Sequence, residues 1–321
     1  MRSLLILVAV VALAGAGAVA AKAYFDARYY DGYDPDLALN AEIRADETVH
    51  PEEAEAPFRR IEVAFQGAPG VTVPARLALP LDADGPVPCI VFLHGIGQDR
   101  KFLDRIAGPF TQAGFAMATF DQLMRGERKL DDDESPLRVA SAFYRRGALT
   151  VIEARRLIDY LQTRPEIASD RIYLMGASYG AITGATAAAF DERFRAVALV
   201  YGGGNLPVLL GNRAAAEELG PWHDEAAGLV SWLLQTADPI HYVGRISPRP
   251  ILFQNGTDDQ LIPTAAAQAL YDAAGEPKSI TWYEGDHIGL DPDTVRAVLD
   301  EALAWIQEVD ADLRDAAPES P

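Results

Sequence analysis

Cysteine is nearly absent from the chain. Cys89 is the only one in 321 residues, so no internal disulfide can form and a cysteine-rich metal cluster is excluded. Positive charge is also short: 28 Lys and Arg face 47 Asp and Glu, a formal net charge of −19. A surface that negative repels phosphate backbones and argues against nucleic acid as a partner. Gly202-Gly203-Gly204 follows a strand-like run but does not complete G-x-G-x-x-G, so no dinucleotide site is implied. There is no internal repeat and no low-complexity tract. Histidine is limited to five, few enough to weigh one at a time. What remains, 49% hydrophobic and 23% charged residues, is the composition of a folded globular chain with a full core.

The one long uncharged run lies at the start. Arg2 precedes Ser3 to Ala21, whose apolar half, Leu4 to Leu13, fits the hydrophobic region of a secretory signal. Ala18-Val19-Ala20 and Ala21-Lys22-Ala23 offer small-x-small cleavage patterns. The same run is almost long enough to span a bilayer, so residues 1–23 read as a signal peptide or an uncleaved anchor, with membrane attachment through residues 3–21 in the second case. No cysteine follows it, which excludes a lipoprotein. Either way the expected location is extracytoplasmic. Residues 24–57 are acidic and aromatic without periodicity and read as a linker or strap. Residues 310–321 read as an acidic frayed tail.

Between them, eight short strand-like runs alternate with longer helical patterns. The runs are Ile61–Phe65, Val71–Leu79, Cys89–Leu93, Phe115–Phe120, Arg171–Met175, Ala196–Tyr201, Ile251–Gln254 and Ile280–Tyr283. The helical stretches are Phe102–Ala113, Ser141–Gln162, Tyr179–Phe190, Thr264–Ala274 and Thr294–Glu308. This alternation predicts an α/β fold, a mainly parallel sheet with helices on both faces. The rhythm breaks from Gly202 to Pro250, which reads as helical pieces inserted after a strand. Within it Trp222, Trp232, Leu229 and Leu233 read as the core of that insertion.

Gly176-Ala177-Ser178-Tyr179-Gly180 satisfies G-x-S-x-G, with a strand-like run just before and a small-residue helical run just after. A strand turning that sharply into a helix leaves no room for side chains two residues either side of the serine, and it lifts the Ser178 hydroxyl to the edge of the sheet. A hydroxyl is a poor nucleophile at neutral pH and needs a base in hydrogen-bond reach. Of the histidines, His287 follows a strand in Glu284-Gly285-Asp286-His287 on a loop before the last helix, and is the candidate base. His94 ends a central strand and reads as backbone-shaping, while His223 and His241 fall in the insertion and His50 in the strap.

The base needs an acceptor that fixes its tautomer. The loop after Ile251–Gln254 carries two adjacent aspartates, Asp258 and Asp259, at the same sheet edge. An oxyanion site needs two donors aimed at the developing charge. His94-Gly95-Ile96-Gly97 follows a buried strand, making the Ile96 amide one donor and the Tyr179 amide the other. Asp131-Asp132-Asp133-Glu134 lacks a spaced ligand pattern and reads as a solvated charge run, and no cofactor or metal is expected.

In this order, Gly-Ala-Ser-Tyr-Gly, His-Gly-Ile-Gly, the aspartate loop and the late histidine resemble the α/β-hydrolase superfamily. Asp121-Gln-Leu-Met-Arg-Gly-Glu-Arg128 and Pro248-Arg-Pro-Ile-Leu-Phe-Gln-Asn-Gly256 are similar to its dienelactone-hydrolase-like and acetyl-xylan-esterase-like branch. The resemblance covers roughly residues 60 to 308. It implies a mostly parallel sheet of roughly eight strands in a catalytic domain over 58–309, with a helical cap over 203–247. It also places the acid at Asp259, four residues before Pro263, and leaves Asp258 to brace the turn through backbone amides. The nucleophile departs from true dienelactone hydrolases in being Ser178 and not cysteine, and Cys89 lies inside a strand where it cannot take that role. The expectation is a serine hydrolase that cleaves a small-molecule ester through an acyl-enzyme. The alternatives are a peptidase similar to the catalytic domain of prolyl oligopeptidases, and a non-catalytic binding protein on the same scaffold.

Overall fold

A computed structural model describes residues 15–50, 57–212, 216–217, 220–288 and 292–316. Nine strands form one sheet: β1 Glu42–Val49, β2 Phe58–Ala68, β3 Val71–Leu79, β4 Val87–Leu93, β5 Ala116–Phe120, β6 Ile167–Ala177, β7 Phe194–Val200, β8 Ile251–Gly256 and β9 Lys278–Tyr283, in the spatial order β1-β2-β3-β5-β4-β6-β7-β8-β9. The first three pair antiparallel, and β3 joins β5 antiparallel. From β5 to β9 every pairing is parallel.

The described helices are α1 at residues 15–26, α2 Leu103–Gln112, α3 Pro136–Leu161, α4 Tyr179–Phe190, α5 Leu206–Leu210, α6 His223–Leu234, α7 Thr264–Ala273 and α8 Pro292–Asp315. Helix α3 begins earlier than its apolar spacing predicts, because Ser135 caps it by accepting the Arg138 amide (3.3 Å) and Pro136 suits the first turn. The parallel strands are apolar on both faces for a simple reason: each face is covered. Cys89, Val91 and Leu93 of β4 join one hydrophobic cluster with α3 and α4, while Ile90 and Phe92 join the other with α2 and α8.

Three expectations need correction. The sheet has nine strands and not eight, because β1 lies in the segment read as a linker. Its sequence, Glu-Ile-Arg-Ala-Asp-Glu-Thr-Val, has few strand-favouring residues and is mostly exposed, so no apolar alternation betrays it. Backbone pairing to β2 holds this edge strand, helped by Arg59 on Asp46 and Arg60 on Glu47 across the ladder. The tail does not begin at Asp310 either. That residue is buried in α8, where its carboxylate takes Nε and Nη2 of Arg171 (2.7 and 2.6 Å) and the Tyr173 hydroxyl (2.7 Å) from β6. Residues 317–321 of the expected tail lie outside the described residues. In the insertion, finally, Trp222, Leu229, Trp232 and Leu233 face solvent and do not form a cap core.

The start of the apolar segment, residues 1–14, lies outside the described residues. Among those described, no helix is long and apolar enough to cross a membrane.

Candidate active site

Strand β6 ends at Ala177 and α4 starts at Tyr179, so Ser178 alone makes the turn, with φ +55°. An L-residue is strained there, and the surrounding packing explains why it stays. A Cβ on Gly176 would strike the Gly180 carbonyl, and one on Gly180 would strike the Leu93 carbonyl at the end of β4. Only glycines let α4 start this close to the sheet. The Ser178 amide donates to Val200 of β7 (2.8 Å), which pins the turn from the other side.

His287 and Asp259 sit on the loops after β9 and β8, at the same carboxyl edge of the parallel strands as Ser178. His287 Nε2 lies 2.9 Å from Ser178 Oγ, and His287 Nδ1 lies 2.7 Å from Asp259 Oδ2. With Nδ1–H donating to the carboxylate, Nε2 is left as an acceptor for the serine proton. The Asp259 side chain is fully buried and its other oxygen takes the amides of Leu261 and Ile262, both at 2.8 Å. Asp259 thus braces its own loop. Asp258 does not: its exposed carboxylate meets the Thr257 hydroxyl (3.0 Å). The Tyr201 ring packs edge-on against His287, with centroids 5.7 Å apart, and limits how far the imidazole can swing.

The turn carrying Ile96 lies against the serine, since a Cβ on Gly95 would meet Ser178 Cβ at 3.7 Å. Among the described residues, the amides of Ile96 and Tyr179 have no protein acceptor. Two donors beside one hydroxyl can stabilise an oxyanion formed there. His94 follows the last residue of β4; its Nδ1 lies 2.9 Å from the Gly95 carbonyl, and burial keeps its ring neutral, below the usual imidazole range.

The Asp121–Arg128 segment, singled out only by resemblance, supports that turn. Asp121 is fully buried and takes the amides of Arg100 and Glu127, both at 2.9 Å, which folds the loop after β5 back under the site. From this loop Gln122 Nε2 donates to the His94 carbonyl (3.0 Å) and Arg125 donates to the Ile96 carbonyl. Arg146 of α3 reaches the same carbonyl (3.4 Å) and Gln122 Oε1 (3.3 Å), with its guanidinium 4.5 Å above the Tyr179 ring. Burial of that guanidinium lowers its proton affinity, and burial pushes the Tyr179 phenol up to about 12.

Ser178 opens into a cavity of about 280 Å³ with mostly apolar walls. Ile182 and Thr183 of α4, Leu206 and Leu209 of α5, and Leu261 and Ile262 of the aspartate loop form part of the lining.

A family model described as the dienelactone hydrolase family matches residues 73–290. The chain belongs to the dienelactone hydrolase family. It is an enzyme of the carboxylic ester hydrolase class. The esterase YjfP of Escherichia coli (strain K12) is 24% identical over 241 residues, 71% of this chain and 93% of the relative. Among solved structures, acetyl xylan esterase 1 from Thermoanaerobacterium sp. JW/SL YS485 aligns with TM-score 0.66 at 19% identity, covering 90% of this chain and 93% of that one. The acetyl xylan esterase from Paenibacillus sp. R4 aligns with TM-score 0.67 at 20% identity, covering 88% and 94%. At such identities these structures show the α/β-hydrolase fold alone.

Sequence reasoning misses three contributors to the site. Asp286 stands in the sequence only as a neighbour of His287, although its carboxylate takes the amides of Gln260 (2.8 Å) and His287 (2.7 Å). Tyr29 and Tyr30, placed in a featureless strap, line the Ser178 cavity. No local pattern marks them, because the contacts that tie each to the site include residues distant in sequence, such as Gln260 for Asp286.

Proposed function

We propose that this family member hydrolyses small carboxylic esters through an acyl-enzyme on Ser178. The observation that carries the reading is the unbroken line Ser178 Oγ–His287 Nε2 and His287 Nδ1–Asp259 Oδ2, at 2.9 and 2.7 Å, on a strained turn. Ser178 Oγ attacks the ester carbonyl carbon as its proton passes to His287 Nε2. Charge then builds on the former carbonyl oxygen, which accepts hydrogen bonds from the Ile96 and Tyr179 amides. The C–O bond to the alcohol breaks, and His287 returns the proton to the departing oxygen. Water, deprotonated by the same imidazole, attacks the acyl carbon and releases the acid, and Ser178 recovers its proton. Asp259 remains a carboxylate throughout and stabilises the imidazolium. The small, apolar cavity and the acetyl xylan esterases among the similar structures both favour an ester with a compact acyl group.

Ser178→Ala tests this. With p-nitrophenyl acetate the rate should fall by about 10³-fold or more, and labelling by a fluorophosphonate should vanish. A variant that keeps a tenth of the wild-type rate removes Ser178 from the mechanism.

We also propose that the enzyme works outside the cytoplasm, on the strength of the uncharged run Ser3 to Ala21. The full chain expressed in a bacterial host should appear in the exported or membrane fraction. Mass spectrometry of an N-terminus near Ala21 or Tyr24 marks cleavage, the intact chain in membranes marks an anchor, and soluble cytoplasmic protein defeats both.

A further inference from the structure

The Ser178 cavity is walled in part by a stretch of chain that the family match does not include. The match begins at residue 73, yet Tyr29 and Tyr30 line the cavity. Tyr29 is buried, its hydroxyl donates to the Tyr144 carbonyl of α3 (2.8 Å), and its ring sits edge-on to those of Tyr30 and Tyr144 with centroids 4.9 and 5.2 Å away. A Cβ on Gly147 would lie 3.0 Å from Tyr29 Oη and 3.9 Å from Tyr179 Oη. The Tyr29 phenol therefore reaches the wall that Tyr179, next to Ser178, also touches.

The rings are clamped. Tyr30 packs on Phe190 and Tyr242, with centroids 5.0 and 5.5 Å away. Just downstream, the buried Arg156 guanidinium donates to the carbonyls of Asp34 (3.1 Å) and Leu37 (2.6 Å). Tyr33 donates to Asp159 (2.9 Å), and the Arg155 guanidinium lies 3.5 Å above the Tyr33 ring. Burial raises both the Tyr29 and the Tyr30 phenol well above the usual tyrosine range, so the wall is neutral at any working pH.

His287 does not line this cavity. The leaving alcohol must lie beside His287 Nε2 to be protonated, which leaves the cavity on the other side of Ser178 for the acyl chain. We infer that Tyr29 is a specificity-determining residue whose ring closes the acyl pocket and restricts the enzyme to short acyl groups. This rests on the acyl-enzyme reading of Ser178.

The test is a series of p-nitrophenyl esters from acetate to octanoate with the full-length wild type, Tyr29→Ala, Tyr29→Leu, Tyr29→Phe and Tyr33→Phe. One methylene too many in a fitted pocket changes kcat/KM by about 10- to 200-fold, so the octanoate-to-acetate ratio should rise at least about 10-fold in Tyr29→Ala. Tyr29→Leu, which keeps apolar packing, should move it in the same direction by less. Tyr29→Phe keeps the ring and should leave the ratio within about twofold, as should Tyr33→Phe outside the cavity. An unchanged ratio in a folded Tyr29→Ala, or in Tyr29→Leu where the alanine variant does not fold, overturns the inference. A shift in Tyr29→Phe or Tyr33→Phe equal to that of Tyr29→Ala also overturns it, because strap anchoring and not the ring would then govern length. Failure of the Ser178 reading shows separately, as ester turnover surviving in Ser178→Ala.

Discussion

The Asp286 carboxylate accepts the Gln260 amide at 2.8 Å, so the residue beside His287 holds the loop that carries Asp259. It takes the His287 amide with the same oxygen (2.7 Å), and one side chain thereby ties the loop of His287 to that of Asp259. The Gln260 and His287 amides favour the charged form and hold this carboxyl below the usual aspartate range. The brace is thus complete above the ordinary aspartate value and weakens as pH falls through the lowered one. Asp286→Ala should reduce kcat by up to about 10²-fold with an unchanged circular dichroism spectrum, since misplacing a catalytic pair by an ångström costs that much. Asp286→Asn, which retains an acceptor oxygen, should lose less. Rates within twofold of wild type in the alanine variant would show that the two loops hold their spacing without it.

Asp259→Asn should lower kcat by up to about 10⁴-fold, because it removes the charge opposite the imidazolium and can turn the ring to the wrong tautomer. Asp258→Asn should stay within a few-fold of wild type, since among the described residues its exposed carboxylate meets just a neighbouring hydroxyl. Measuring kcat for both decides the assignment, and a larger loss at Asp258 reverses it.

Gly180→Ala should destabilise the fold by about 3 kcal/mol as well as impair turnover. The added methyl group meets the carbonyls of Leu93 and His94, which are backbone atoms at the end of a central strand and cannot swing away. A melting temperature equal to wild type would mean that α4 can move back from β4 more easily than the packing indicates.

Asp310 ties the last helix to β6, and removing it leaves the Tyr173 hydroxyl and the Arg171 guanidinium facing each other without their acceptor. Asp310→Ala should cost about 3 kcal/mol in a urea melt near neutral pH. Burial pushes the carboxyl up, but hydrogen bonds from Arg171 and Tyr173 outweigh it and leave the value below normal. Its stabilisation is therefore full above the ordinary aspartate value of about 3.9 and is lost as pH falls through the lowered one. The stability gap between wild type and Asp310→Asn should narrow on acidification. A gap that widens instead would assign Asp310 a raised value.

Ser178 was legible from the chain alone because its environment is local: two glycines, a strand before and a helix after create the turn within five residues. The parallel strands were legible for a related reason, since burial on both faces leaves continuous apolar runs. Strand β1 was not, because an edge strand is held by backbone pairing that any side chains permit, and its acidic residues look like solvated loop. Telling Asp259 from Asp258 needed family resemblance in the sequence, while in space one carboxylate lies buried against His287 and the other turns to water. Asp310, Asp286 and Tyr29 were out of reach for a deeper reason. Each works through a partner brought near only when the chain folds, with Arg171 lying 139 residues before Asp310 and Tyr144 lying 115 after Tyr29. Local chemistry specified which reactive groups the chain carries; long-range packing decided which of them meet and which side chains wall the cavity beside them.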